Sequence, residues 1–133
     1  MNAFLLDNIL LIAIICVCVV SLAWPYVAKR RWGPEVDNRS ATELINHKNA
    51  QIVDLRAPAD FKKECIARSV NIPADRIQNE LGKLDKTRPV LLVDDDGRRS
   101  RMASPLLRGT GFKEVFILAG GLNAWRTAKL PFS

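Results

Sequence analysis

The sequence has no lysine or arginine before Lys29, and no charged residue of either sign between Asp7 and Lys29. It also has one histidine and three cysteines in 133 residues. Each scarcity excludes something. An uncharged stretch of that length is not an amphipathic surface helix, which needs a polar face. The lack of basic residues before it argues against a cleaved secretory signal, whose leading region is positive. Trp24, Pro25 and Tyr26 also stand where a small-residue cleavage site would be needed. Cys16 and Cys18 lie inside the uncharged run, where they act as small apolar side chains. Only Cys65 remains, so neither an internal disulfide in the rest of the chain nor a three-cysteine metal site is expected. His47 stands alone in a helical stretch and reads as exposed or helix-packed. No metal and no cofactor are expected.

The uncharged run reads NILLIAIICVCVVSLAWPYVA. About 20 apolar residues cross a hydrocarbon core roughly 30 Å thick. One transmembrane helix is therefore expected over residues 9–27, with an extracytoplasmic tail at 1–8 and a basic tether at 28–35. Trp24 and Tyr26 suit the interfacial belt, and Lys29, Arg30 and Arg31 follow at once. Positive flanks stay on the cytoplasmic side, so the N-terminus is expected outside and the remainder in the cytoplasm. All twenty lysines and arginines follow the run, against thirteen of the fourteen acids. That surplus draws the remainder toward anionic lipid headgroups. The expected partners are the lipid bilayer and a cytoplasmic or membrane protein. The basic residues are scattered without interleaved aromatics, so no nucleic-acid partner is expected.

Residues 36–133 alternate short apolar runs with helical stretches. SATELINHK reads as a helix capped by Ser40, with Glu43 completing a capping box. Ile52–Leu55 reads as a buried strand, and Pro58 starts a brief helix that carries Phe61 and ends near Lys63. Val70–Ile72 is a second short apolar run, followed by a helix over about Arg76–Leu84. PVLLV lacks alternation, as a strand covered on both faces does. A loop and a helix capped by Ser100 follow, with Pro105 an awkward interior residue and Gly109 or Gly111 the stop. Val115–Leu118 is a further strand, and a last helix carries Leu122 and Trp125. Phe112 and Trp125 are expected in the core. The pattern predicts an α/β domain with a mostly parallel central sheet flanked by helices.

IVDLRAPADF with CIARSVNIP, VLLVDDDGRRSRMA, RGTGFKEVFILAGGLNAW and the closing KLPF occur in that order. Together they resemble the rhodanese-like sulfurtransferase domain, over about Val36 to Phe132. An anchor followed by one such domain is similar to small members bound to the bacterial inner membrane. In that family a single cysteine, first in a tight loop between strand and helix, carries sulfane sulfur. Loop amides and the helix N-terminus make a positive cradle that lowers a thiol pKa and holds the persulfide. Gly97, Arg99 and Ser100 fix the register of the resemblance, and the cysteine position then falls on Asp94. The loop reads Asp94, Asp95, Asp96, Gly97, Arg98, Arg99. A carboxylate forms no persulfide, so the resemblance implies a degenerate site and a non-catalytic binding role. Glu64-Cys65-Ile66 stands where the family commonly has Gly-His-Ile. Cys65 is thus a candidate reactive thiol for an unconventional sulfurtransferase route, beside its plainer reading as a packed small residue.

The acidic cluster admits other chemistry. VLLVDDD is similar to the phosphoacceptor region of response-regulator receivers, but too little chain follows Asp96. DDDG resembles the nucleophile motif of haloacid-dehalogenase-type phosphatases, with Asp94 attacking phosphorus, Asp96 as acid-base and Mg²⁺ between them. Lys113 and Glu114 fit that family's later motifs poorly. A quieter reading has Asp94 fold back onto the loop's own amides, occupying the cradle. Asp54 and Arg56 are read as structural.

Overall fold

The computed structural model describes the backbone over residues 2–133 and the side chains over residues 2–27 and 33–133. Met1, the first residue of the expected tail, lies outside the described residues, as do the side chains of Lys29, Arg30 and Arg31. The chain divides into two compact units, Met1–Arg31 and Trp32–Ser133.

The first unit contains helix α1 (Asn2–Asp7) and most of helix α2 (Ile9–Trp32). Between them Asn8 donates from its amide and its side chain to the Phe4 carbonyl, at 3.2 and 2.9 Å. Within α2, Ile9–Val27 has a mean hydropathy of 2.6 and no buried residue. Its apolar side chains point to all sides, as in a helix made for an apolar medium. It is long and apolar enough to cross a membrane, a test that a signal sequence also passes.

The second unit is a five-stranded parallel sheet of order β1-β5-β4-β2-β3. The strands are β1 (Glu35–Val36), β2 (Gln51–Asp54), β3 (Val70–Asn71), β4 (Val90–Val93) and β5 (Val115–Leu118). The helices between and after them are α3 (Asn38–His47), α4 (Pro58–Lys63), α5 (Ile77–Glu80), α6 (Arg98–Gly109) and α7 (Gly121–Thr127). Strand β1 lies in the stretch read from sequence as tether. It is only two residues long, too short for a periodic signal, and its pairing with β5 is what defines it.

Strand alternation explains the unbroken apolar runs. Val90 and Leu92 enter one core with Val53, Leu107 and Phe112. Leu91 and Val93 enter the other with Ala41, Ile52, Leu122 and Trp125. Both faces are covered, so no position on β4 is left for a polar residue. Phe112 and Trp125 are 2% and 4% exposed, as core residues should be.

Two helix caps differ from the sequence reading. Helix α3 starts earlier, and its cap is Asp37, whose carboxylate accepts the Ser40 amide at 2.8 Å. A carboxylate reaches that amide as well as a hydroxyl does, and moving the cap from Ser40 to Asp37 gives the helix nearly another turn. Ser100 does not cap α6 either, because it lies inside the first turn behind Gly97. The expected helix over Arg76–Leu84 is two short pieces, α5 and a 3₁₀ turn over Leu81–Lys83. Helix α6 runs through Pro105 to Gly109.

Candidate functional site

In an open parallel sheet, ligands bind beyond the carboxyl ends of the strands, where the strand order reverses. Here that place is between β4 and β2, from whose carboxyl ends the chain runs to opposite sides of the sheet, to β5 and to β3. The loop leaving β4 is Asp94–Gly97, and Gly97 turns it with a φ of 94°, a left-handed conformation suited to glycine.

Asp94 is 1% exposed. Its Oδ1 accepts the Gly97 amide and the Ser100 hydroxyl, both at 2.8 Å. Its Oδ2 accepts the Arg99 amide at 2.8 Å. Buried carboxylates are costly unless hydrogen-bonded, and these donors sit at the positive N-terminal end of α6. The carboxylate therefore occupies the cradle that its own loop builds. Ser100 is 0% exposed and serves the site as this hydroxyl donor. The neighbouring Asp95, Asp96, Arg98 and Arg99 are exposed, and Asp96 turns back to accept the Arg98 amide at 3.0 Å.

The loop is fastened from behind by α7. The Leu122 amide donates to the Asp94 carbonyl at 2.7 Å and the Asn123 amide to the Asp95 carbonyl at 3.0 Å. Gly121 makes this approach possible. A Cβ there would stand 2.5 Å from the Asp94 carbonyl oxygen and 2.6 Å from that of Asp95. The double glycine after β5 is thus part of the site's construction.

A second buried charge lies at the end of β2. The Arg56 guanidinium grips the Asp54 carboxylate through Nε at 3.0 Å and Nη2 at 2.8 Å, and Nη2 also donates to the Glu64 carbonyl at 2.6 Å. Asn71 ties β3 in by donating to the carbonyls of Asp54 and Arg56. Burial favours the neutral guanidine, but hydrogen bonding and the charges of Asp54, Asp95 and Asp60 outweigh it and hold Arg56 above its ordinary value. The structural role read for Asp54 and Arg56 thus has a definite form: they pair with each other.

Beside the loop is a cavity of about 340 Å³. Leu55, Pro58, Pro73 and Ala74 supply its apolar walls, and Arg76, Arg99 and Asp75 its charge. Sequence reasoning missed Pro73, Asp75 and Arg76 as site residues. Nothing in their local pattern marks them, because only the parallel pairing of β2 with β3 carries that turn to the loop.

The remaining candidates lie elsewhere. His47 is exposed at the end of α3. Cys65 is half-buried, and its carbonyl accepts the Ser133 amide at 2.7 Å. Among the described residues, no group of three or more His, Cys, Asp or Glu side chains is arranged to hold a metal ion.

Comparison with known proteins agrees with this fold. The chain is 39% identical over 94 residues to YibN of Escherichia coli K12, a match covering 68% of this chain and 66% of YibN. It thus spans just under two thirds of that relative. It is 30% identical over 92 residues to the thiosulfate sulfurtransferase GlpE of Coxiella burnetii, covering 69% of this chain and 86% of GlpE. A rhodanese-related protein from Thermoplasma volcanium has the same fold, with a TM-score of 0.67 at 23% identity, over 76% of this chain and 98% of that one. The family model of the Rhodanese-like domain matches residues 37–128. Since that match takes in every strand but the first, together with the whole β4 loop, the chain belongs to the rhodanese-like domain family.

Proposed function

We propose that this chain is a membrane-anchored rhodanese-like module that binds a partner and carries no sulfur on its β4 loop. Asp94 stands where the family's sulfur-carrying cysteine sits. The observation that carries this reading is the engagement of both Asp94 oxygens by the Gly97 and Arg99 amides and the Ser100 hydroxyl. The donors that would hold a persulfide anion in a sulfur-carrying relative are satisfied by a fixed carboxylate. Helix Ile9–Val27 is the anchor, retained as a single span in a bacterial inner membrane. The N-terminus is outside and the rhodanese-like domain is cytoplasmic, on the argument of the basic residues at 29–31.

The resemblance to GlpE favours a second reading, a sulfurtransferase that uses Cys65. Both readings meet in one assay. The full chain in detergent is given thiosulfate and cyanide, and thiocyanate is measured. No thiocyanate above buffer is expected. Turnover that persists in Cys65→Ser would sink the binding reading, and turnover abolished by Cys65→Ser would establish the cysteine route in its place.

A further inference from the structure

The cavity beside the loop carries chemistry that the loop no longer does. Its charged lining is two arginines, Arg76 and Arg99, against one acid, Asp75. Asp94 is no part of that lining: it is 1% exposed, and its oxygens accept from the Gly97 and Arg99 amides and the Ser100 hydroxyl. Neither Arg76 nor Arg99 ion-pairs with an acid among the described residues. Both are held by backbone rather than by side chain. The Arg76 amide donates to the Pro73 carbonyl at 2.8 Å, and the Arg99 amide to Asp94 at 2.8 Å. Their guanidinium groups are therefore available as cationic forks carried on a fixed backbone.

The rest of the lining limits what they take. Two prolines, Leu55 and Ala74 make walls that favour an aliphatic stem over a bare hydrated ion. Asp75 repels a second negative charge and accepts an N–H. A ligand that satisfies all three demands has one carboxylate, a short aliphatic stem and an amide N–H nearby. A glutamate or aspartate side chain within a polypeptide has these parts, whereas a simple inorganic anion offers only the negative charge.

We propose that this cavity is the docking pocket for an acidic side chain of a partner polypeptide, clamped between Arg76 and Arg99. This deepens the binding role proposed above and rests on it. The full chain in detergent is titrated with the capped peptide acetyl-Ala-Glu-Ala-amide, while NMR follows the side-chain Nε–H resonances of Arg76 and Arg99. Saturable shifts are expected, with a Kd on the order of 0.1–1 mM. Acetyl-Ala-Gln-Ala-amide should cause none, and propionate, which lacks the N–H, should bind about tenfold more weakly or worse. Arg76→Gln with Arg99→Gln should abolish the peptide-induced shifts of the Leu55 and Ala74 backbone amides in the cavity wall, which the parent shows and the variant can still report, while leaving the Trp125 indole resonance in place as a marker of the fold. Equal shifts from the glutamine peptide, no shifts at all, or peptide binding that survives in the double variant would overturn the proposal. Propionate binding as tightly as the peptide would overturn the polypeptide assignment in favour of a free small acid. No sulfur donor enters this titration, so its failure leaves the thiocyanate result standing, and the reverse holds too.

Discussion

If Asp94 stands in place of the family's cysteine, as proposed above, a small difference in side chain has a large consequence. A thiol in the same cradle is a weak acceptor until it ionises or takes on sulfur, so its donors wait for a charge. A carboxyl group brings two oxygen acceptors with no such reaction. Leaving any of the donors dry would cost about 1–3 kcal/mol each, which is why the carboxylate turns inward and does not face solvent. The loop around it is held in shape by the Gly121 contact that clamps it to α7. Asp94→Cys should therefore restore sulfur loading. After incubation with thiosulfate, intact mass of the variant should show one added sulfur that dithiothreitol removes, on the tryptic peptide containing position 94. No added mass would mean that the cradle, and not only its first residue, has diverged. The fold-back was legible from sequence, since a carboxylate among amides at a helix start has an obvious partner set. The cavity was not, since Arg76 and Arg99 are 23 positions apart and meet only through the sheet.

At the scale of elements, long apolar runs were read well and short or polar boundaries poorly. Strand β4 is four buried aliphatic residues, and its unbroken hydrophobicity fixed both its type and its central place. Strand β1 has one exposed and one half-buried residue, and only its partner β5 makes it a strand. The start of α3 was misplaced because Asp37 and Ser40 are both good caps, and which one prevails depends on where the chain leaves β1. That cap makes a pH-dependent contribution. The Ser40 amide, then its hydroxyl, hold the Asp37 carboxyl below its usual 3.8. A depressed folded pKa means that the stabilisation is complete above the unfolded value and is lost as pH falls through the folded one. Asp37→Ala should therefore be less stable than the parent in urea unfolding at pH 7. The gap should narrow below about pH 4 and vanish once the carboxyl is protonated in both states. A gap that stays constant down to pH 2 would mean that the loss comes from helix propensity and not from the charged cap. Asp85, depressed by the Thr87 hydroxyl and then its amide, sets a second such contribution and should remain in the variant's own acid transition.

For the whole molecule, charge is distributed as sharply as hydrophobicity. Every lysine and arginine follows the apolar span Ile9–Val27, and the only acid before it is Asp7. Long domains translocate largely regardless of their charge, so the orientation proposed above rests on the residues at 29–31, which lie within the range where the positive-inside tendency acts. A retained anchor and a cleaved signal differ in two measurable ways. The first is mass: a retained anchor keeps the full 14.9 kDa in the membrane fraction, and cleavage removes the apolar helix. The second is sidedness. Ser133 is exposed, and Cys16 and Cys18 lie within the apolar span, so Ser133→Cys in a Cys65→Ser background supplies a single thiol outside that span. A membrane-impermeant maleimide should leave this thiol unmodified in intact bacterial cells and modify it after permeabilisation. Labelling in intact cells would place the domain outside, where a cytoplasmic partner could not reach the pocket between Arg76 and Arg99. The orientation thus determines which proteins are eligible to dock there, and an acidic segment of a cytoplasmic or inner-membrane protein is the class that a cytoplasmic domain leaves open.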